Sequence, residues 1–326
     1  MSEKTKYSVG LSPLTACGDR FVSKYHPDDV DLIEKIKMVA KVRDLKGVYL
    51  GYPSDFSFFS DTKELKGELE KNNLEVSMVE IELFSEPIWK YGSFTSNDEK
   101  IRQKAVDLTK RGIDASVVLG NKEISMCLLQ DGYDYPFQSD YRKSWERLIE
   151  AIKEIARYRG DVRICLEYKI KEARTHIYMG TIGKTLMLVN QVKEGNVGVL
   201  IDIGHSYMAY ENPAESVILA DMHDKLYYVE LNDNYRLWDD DMIVGTVHFW
   251  ETIEFLYWLN EIKYDGWYNF DIFPYRENGI EVVRQCIKNS ETLKQLATKI
   301  PPDKLNSLRE GNKTTGIVEL LRNLLV

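Results

Sequence analysis

The sequence has few of the features that mark nucleic-acid-binding, secreted or membrane proteins. Its 43 Lys and Arg residues are outnumbered by 52 Asp and Glu residues, so the net charge is −9, whereas a duplex-binding protein presents a basic surface. The first eleven residues, MSEKTKYSVGL, lack the apolar core of a signal peptide. No apolar run approaches the ~18 residues that a membrane span needs. We therefore expect a cytoplasmic protein with neither nucleic-acid nor membrane partners.

Cysteine and histidine are also scarce. The four cysteines, Cys17, Cys127, Cys165 and Cys286, form no CxxC pair, which excludes the spacing of a zinc ribbon or a disulfide framework. We expect buried free thiols. Only five histidines are present, which argues against a zinc-dependent barrel endonuclease, because such an enzyme needs several histidine ligands.

Short β-like runs alternate with amphipathic segments along most of the chain. In residues 141–158, YRKSWERLIEAIKEIARY, apolar residues recur three and four apart, as on one face of a helix. Runs rich in Val, Ile and Leu without strict alternation favour a parallel sheet covered by helices. The predicted strands are residues 7–11, 46–51, 74–81, 115–120, 162–168, 197–203, 226–231 and 267–273. Eight strand–helix repeats predict an α/β protein with a (β/α)8 TIM barrel; the alternative is a doubly wound sheet.

The repeat stops near residue 300. We assign residues 1–290 to the barrel and residues 291–326 to a short C-terminal helical extension. This extension carries Pro301, Pro302 and a polar stretch before its apolar end, LLRNLLV. A lone apolar helix must bury its face, so we expect it to pack on the barrel or on a neighbouring subunit.

Carboxylates stand at the ends of four consecutive predicted strands. These residues are Glu167, Asp202, Glu230 and Asp271. Catalytic groups of (β/α)8 barrels lie at the C-terminal ends of strands. Carboxylates clustered in a partly dry pocket must either take up protons or bind a cation. The pattern therefore predicts a metal site at this end of the barrel.

Further ligand groups follow two of these strands. His205 stands three residues after Asp202, and the run Asp239, Asp240, Asp241 follows the strand that ends near Glu230. A set of oxygens with one imidazole suits Mg²⁺, Mn²⁺ or Co²⁺ better than structural zinc. The set exceeds what one ion needs, so we predict two divalent ions that share a carboxylate.

Five segments, in order, resemble those of a xylose isomerase of the shorter actinobacterial type. They are ELFSEPIWKYGSFTSNDEKIR (82–102), EYKIKEAR (167–174), DIGHSYMA (202–209), VELN with WDDDMIVG (229–232 and 238–245) and NFDIFP (269–274). The first segment resembles the family's stretch after strand three. The family's motifs that correspond to the other four read, in the same order, EPKPNEPR, ExGHEQMA, IDLN with YDQDLxFG, and HFDYKP.

This resemblance implies specific roles. A first ion is expected on Glu167, Asp202, Glu230 and Asp271, and a second on Asp202, His205, Asp239 and Asp241, with Asp202 bridging. Asp240 falls at a spacer position. Lys169 is expected to hydrogen-bond the carbonyl oxygen of a sugar while a hydride moves between C1 and C2. The expected catalytic residues are Lys169, Glu167, Asp271 and His205. Trp89, Phe94, Trp238, Asn232 and Asp55 are the expected substrate-binding residues.

The departures from that family concern the substrate pocket. Gly51 stands where the family has its ring-opening histidine, with Asp55 as a partial substitute, and VVLGNKEI (117–124) stands where the family has a tryptophan. Two expected metal ligands also differ: Asp202 stands where the family has Glu, and Glu230 stands where the family has Asp. We therefore predict an isomerase for an unphosphorylated sugar of four to six carbons other than xylose.

Two other kinds of function remain open. A ketose 3-epimerase, or a related sugar epimerase or dehydratase, would use Glu167 and Asp271 as an acid–base pair. A binding protein would keep the metals for structure alone.

The resemblance also implies a homo-oligomer, either a tetramer or a dimer.

Overall fold

A computed structural model describes residues 5–26 and 29–325, and its central feature is a closed parallel barrel. Eight strands form the barrel, and two further strands form a small antiparallel ribbon. In chain order the strands are β1 (Lys6–Gly10), β2 (Leu45–Tyr52), β3 (Glu75–Ile81), β4 (Glu123–Cys127), β5 (Gly132–Tyr133), β6 (Arg163–Glu167), β7 (His176–Ile177), β8 (Val197–Asp202), β9 (Leu226–Leu231) and β10 (Trp267–Phe270). The (β/α)8 TIM barrel predicted from the sequence is confirmed.

The barrel closes where its first and last strands pair. The strand order around it is β1-β10-β9-β8-β6-β4-β3-β2. Strand β1 runs parallel to β10, with Lys6 opposite Trp267 and Val9 opposite Phe270. Every residue of β8 is buried, as expected for a strand covered on both faces. The C-terminal ends of these strands surround one common mouth.

Helices between the strands and after the last strand cover the barrel. They are α1 (Pro13–Ala16), α2 (Leu32–Ala40), α3 (Thr62–Lys71), α4 (Glu99–Val118), α5 (Tyr141–Tyr158), α6 (Ile182–Val192), α7 (Ile203–Met208), α8 (Pro213–Asp221), α9 (Phe249–Glu261), α10 (Gly279–Thr298), α11 (Pro302–Glu310) and α12 (Thr314–Arg322). Aspartates cap several of them: Asp31, Asp61, Asp98 and Asp140 each accept a hydrogen bond from a backbone N–H of the first turn, which stabilises a helix start. Among the described residues, none of the helices combines the length and the apolar character that crossing a membrane requires.

One strand prediction was wrong. Residues 115–120 are the last turn of α4 and its C-terminal stop, and the fourth barrel strand is β4, which begins at Glu123. The Leu119 amide donates to the Ala115 carbonyl at 3.1 Å, and Gly120 has a φ of +87°, the left-handed backbone that glycine supplies just after a helix. The two valines at 117 and 118 gave this helix end the appearance of a strand. The true strand places Cys127 opposite Glu167 of β6.

The C-terminal extension packs against the barrel's outer helices. Leu305 of α11 and Leu320 of α12 are buried in the same apolar cluster as the core. The Arg309 guanidinium lies 5.8 Å from the ring centre of Tyr257 and 5.1 Å from that of Trp258, both on α9. The sequence-based boundary at residue 290 falls inside α10.

Two contacts brace the loops around the mouth. Strands β5 and β7 pair antiparallel, tying the loop after β4 to the loop after β6. Buried Asp131 holds the loop before α4: Ser93 N donates to its two oxygens at 3.1 and 3.2 Å, and Thr95 N and Oγ1 donate to Oδ1 at 2.7 and 2.6 Å. These contacts fix the segments from which the pocket walls are built.

Candidate active site with clustered carboxylates

An acidic pocket of about 290 Å³ lies at the C-terminal ends of the barrel strands. Its size is near the lower end of ligand sites, as suits a small molecule. Seven carboxylates line it: Glu80, Glu167, Glu172, Glu230, Asp239, Asp241 and Asp271. Among the described lining residues, Lys169 and His205 supply the positive or ionisable nitrogen. Its aromatic walls are Tyr49, Phe84, Trp238, Phe273 and Tyr275.

The first predicted ligand set converges in this pocket. Glu167, Asp202 and Glu230 each offer a carboxylate oxygen within 4.8 Å of the other two. The fourth predicted member, Asp271, lines the same pocket. Strands β6, β8 and β9 supply the first three residues and Asp271 directly follows β10, so neighbouring positions around the barrel supply the set.

Two members of the second predicted set, His205 and Asp239, are in direct contact. The Asp239 Oδ2 atom lies 2.9 Å from Nε2 of His205 and 2.6 Å from Nζ of Lys169. The Lys169 ammonium also lies 3.2 Å from Glu172 Oε2. Asp239 therefore connects the imidazole to the ammonium inside the pocket.

Local backbone structure positions Asp202 and His205 together. Asp202 ends β8 and caps α7, where its Oδ1 accepts from the His205 backbone N–H at 2.8 Å. Its Oδ2 accepts from the amide of Asn232 at 2.8 Å, and the same amide donates to Asp241 Oδ1 at 3.3 Å. Asn232 thus links the carboxylate shared by both predicted sets to a member of the second set.

The aspartate run alternates its side chains. Asp239 and Asp241 both line the pocket, whereas Asp240 turns out of it. The Asp240 Oδ2 atom accepts from the backbone N–H of Tyr235 at 3.0 Å. Asp240 instead lines an adjoining cavity of about 570 Å³, which shares with the pocket the residues Trp238, Asp239, Asp241, Phe273 and Tyr275. This alternation matches the spacer position assigned from the sequence.

The electrostatics show an excess of buried negative charge. Burial raises the pKa of Asp202 to about 6, and burial together with repulsion from neighbouring carboxylates raises the pKa of Glu230 well above its usual range. Burial alone would lower the pKa of Lys169, but attraction to Asp239 raises it well above normal. The same two causes, burial and repulsion, hold the pKa high for Glu80, Asp241 and Asp271. A divalent cation would remove this penalty, because it favours the ionised carboxylates.

Buried polar atoms without a hydrogen-bond partner also indicate a cation site. Within the described chain, Asp239 Oδ1 and His205 Nδ1 are buried and have no hydrogen-bond partner. Nδ1 lies 3.0 Å from Glu167 Oε1, but the two atoms lack the alignment of a hydrogen bond. Buried polar atoms are nearly always paired, so carboxylate and imidazole atoms that converge without a hydrogen-bond partner suit a cation. The donor set is mostly oxygen with one imidazole, which fits Mg²⁺, Mn²⁺ or Co²⁺.

The expected substrate-binding residues are only partly assembled in the pocket. Trp238 lines it and is half exposed. Trp89 and Phe94 are buried in the apolar core, and Asn232 lies fully buried behind the carboxylates. Asp55 is buried beside the pocket, where it accepts from Gly51 N and Ser12 Oγ, each at 2.8 Å. These four do not appear among the described lining residues.

Sequence reasoning missed several lining residues, above all Glu80 on β3 and Cys127 on β4. Glu80 was inside a correctly predicted strand, next to its last residue, so inspecting that strand end would have found it. Cys127 was missed because the fourth strand had been placed too early. Glu172 was noted only as part of a motif, and its contact with Lys169 gives it a place at the pocket wall.

Comparison with known proteins agrees with this architecture. The family model described as xylose isomerase-like TIM barrel matches residues 39–294. Similar solved structures include a xylose isomerase domain protein from Alicyclobacillus acidocaldarius, at 15% identity and a TM-score of 0.68, covering 90% of this chain and 99% of that one. A D-psicose 3-epimerase from Clostridium cellulolyticum H10 aligns at 19% identity and a TM-score of 0.65, covering 90% and 97%. An L-ribulose 3-epimerase aligns at 14% and 0.69, covering 90% and 96%.

At these identities the solved structures establish the shared fold. The family match extends over most of the barrel, from β2 to α10, and includes every strand that contributes a predicted metal ligand. The chain belongs to the xylose isomerase-like TIM barrel family.

Proposed function

We propose that this protein is a divalent-metal-dependent aldose–ketose isomerase for a small unphosphorylated sugar of four to six carbons. The observation that carries the proposal is Lys169, whose ammonium lies in the carboxylate pocket 2.6 Å from Asp239, the residue that also contacts His205. A lysine held at this point supplies hydrogen-bond donors among many acceptors. The described residues that line the pocket itself include no arginine, although Arg276 lines the adjoining cavity, so the sugar is proposed without a phosphate group at the carboxylates.

The donor set would hold two ions. Glu167, Asp202, Glu230 and Asp271 would bind the first, and Asp202, His205, Asp239 and Asp241 the second. When bound, such ions polarise adjacent substrate oxygens and stabilise the negative charge that develops on them.

The protein's own groups would orient the sugar. Lys169 would donate a hydrogen bond to the substrate carbonyl oxygen, with its ammonium aimed by Asp239 and Glu172. Phe84, Trp238 and Phe273 line the pocket and would keep water from the carbonyl, which strengthens that hydrogen bond. A hydride moving directly between C1 and C2 would then exchange no proton with solvent.

A ketose 3-epimerase is the second candidate, and one observation favours it. Glu167 and Asp271 line the pocket from β6 and β10, which are separated around the barrel by β8 and β9. Carboxylates that approach from different sides can remove a proton from one face of a substrate and return one to the other.

Isotope transfer separates the two reactions. Chelator-treated protein is reloaded with Mn²⁺ and incubated in D₂O with aldoses and ketoses of four to six carbons. Product without carbon-bound deuterium supports the hydride-shifting isomerase. Deuterium at C3 would instead establish the epimerase, and deuterium at C1 or C2 an enediol route. Protein without restored metal is the control, and conversion there at the full rate would refute both metal-dependent proposals.

We also propose a homo-oligomer, as the family resemblance implies. Large apolar side chains are exposed on several loops that follow barrel strands, including Phe58, Tyr91, Tyr135 and Phe137. Exposed apolar surface of this kind is typical of association sites. Light scattering on the purified chain should give a dimer or tetramer mass, and a monomer mass would contradict the proposal.

A further inference from the structure

A second type of donor set shares the pocket with the carboxylates. Cys127, Glu167 and His205 each offer one ligand atom within 4.8 Å of the other two, and all three residues are buried. The imidazole nitrogen that faces Glu167 is Nδ1, at 3.0 Å. This nitrogen is the one without a hydrogen-bond partner in the described chain. A thiol, a carboxylate and an unpaired imidazole nitrogen therefore converge on one point.

We propose that Cys127, Glu167 and His205, hereafter the thiol triad, bind a soft divalent cation of the Zn²⁺ class. Thiolate with imidazole selects such ions, whereas the all-oxygen ligands of the first set select harder ones. Three protein ligands leave the fourth tetrahedral position for water or substrate. The site is therefore distinct in chemistry from the two Mg²⁺- or Mn²⁺-type positions of the proposed function.

The fold positions these ligands independently of any ion. Cys127 is the last residue of β4 and lies opposite Glu167, the last residue of β6. His205 is held over them by α7, whose first turn is capped by Asp202. Ligand atoms around a tetrahedral Zn²⁺ lie roughly 3–4 Å apart, as bond lengths of about 2.0–2.3 Å require. The three ligand atoms lie within 4.8 Å of one another in this structure, so a bound ion would draw them closer together.

Cys127 differs from the buried cysteines elsewhere in the chain. It lines the pocket, whereas Cys165 packs in an apolar cluster with Met78 and Leu200, and Cys286 lies on the buried face of α10. Cys127 therefore shares its pocket with seven carboxylates and His205.

The imidazole makes the two kinds of site mutually exclusive. Neutral histidine has one lone pair and one N–H. An ion in the thiol triad takes Nδ1 and leaves Nε2–H to donate to Asp239, which lies 2.9 Å away. An ion bound by His205 with Asp239 requires the opposite tautomer. Glu167 is also shared, so a soft ion in the thiol triad would displace the harder ions. This regulatory consequence rests on the proposed function, whereas the binding site does not.

Cadmium titration tests the site directly. Metal-free protein is titrated with Cd²⁺ while the ultraviolet charge-transfer band of a cadmium–thiolate bond is recorded. We expect a band that saturates at one Cd²⁺ per chain in the wild type and in the control Cys286→Ala. In Cys127→Ala the band should vanish, and Cd²⁺ affinity should fall by about 100-fold or more, since losing a ligand exceeds the loss of an outer-shell partner.

Two results would overturn the proposal. One is the absence of a saturating thiolate band in the wild type, and the other is a band that survives in Cys127→Ala. If Cys127→Ala does not fold, alkylation of Cys127 in the wild-type protein tests the site instead. One equivalent of Cd²⁺ should then slow iodoacetamide labelling of Cys127, as read by peptide mass, and unchanged labelling would refute the site. These readouts involve no sugar, so they separate failure of this site from failure of the isomerase proposal.

Discussion

Replacing Lys169 by Met tests whether the pocket performs catalysis or only holds metal. The side chain is 12% exposed, and its ammonium contacts Asp239 at 2.6 Å and Glu172 at 3.2 Å. Removing one partner of a buried ion pair costs about 3–5 kcal/mol. Asp239 keeps its contact with His205 at 2.9 Å, so we expect the lower value, about 3 kcal/mol of unfolding free energy in the metal-free protein.

The same change should act oppositely on metal binding and on turnover. Removing a positive charge from the pocket favours a divalent cation, so Mn²⁺ should bind Lys169→Met at least as tightly as it binds the wild type. Loss of a donor aimed at developing charge should lower kcat by about 10²–10³-fold. Urea unfolding, Mn²⁺ calorimetry and sugar conversion measure the three quantities.

Lys171→Met is the matched control for this experiment. Its ammonium binds the backbone carbonyl of Leu237, and Lys171 is not among the described residues that line the pocket. We expect this variant to retain turnover. A Lys169→Met protein that turns over within tenfold of the wild type, or that no longer binds Mn²⁺, would refute the role assigned to Lys169.

Three further predictions concern aspartates at and around the pocket. Burial raises the pKa of Asp55 to about 6, so its proton stabilises the native state below pH ~4 and this contribution is lost as pH rises through about 6. The free energy of unfolding of Asp55→Asn minus that of the wild type should therefore rise by about 2 kcal/mol between pH 4 and 7, and a difference independent of pH would contradict this reasoning. Asp241→Asn should weaken Mn²⁺ binding by at least about tenfold, while Asp240→Asn should leave it unchanged, because only Asp241 faces the pocket; equal losses in calorimetry would remove the distinction. Asp131→Ala should lower the free energy of unfolding by about 2–6 kcal/mol, since it leaves two buried backbone N–H groups unpaired, and a loss below 1 kcal/mol in urea unfolding would show that water replaces the carboxylate.

Most of the architecture follows from local patterns in the sequence. Seven of the eight strand predictions overlap barrel strands, because apolar runs between amphipathic helices are distinctive. The failure at residues 115–120 arose because two adjacent valines favour a strand locally, whereas the hydrogen bonds of a helix that begins at Glu99 continue through them. Tertiary packing of α4, which buries Ile113 and Ser116 on one face, overrides that local preference.

Part of the site could be predicted from the rule that catalytic groups of (β/α)8 barrels lie at the C-terminal ends of strands. Strand ends pointed to Glu167 and Asp271, and the spacing of the aspartate run pointed to Asp239 and Asp241; all four residues line one pocket. The rule does not give side-chain direction within loops, so Trp89 was assigned to the pocket although it lies in the core. The orientation of the His205 ring, with one nitrogen facing Glu167 and the other facing Asp239, depends on α7 and has no signature in the sequence.

The closure of the barrel by β1 and β10 has a consequence for how the chain is made. Lys6 must wait for Trp267 to leave the ribosome before the two can pair. The carboxylates proposed to hold metal come from β6 onwards, and Asp271 follows β10, near the end of the barrel. A nascent chain that stops before residue 163 carries none of them. We therefore expect metal loading to be post-translational, so that the ion acquired reflects the metal pool surrounding the finished protein.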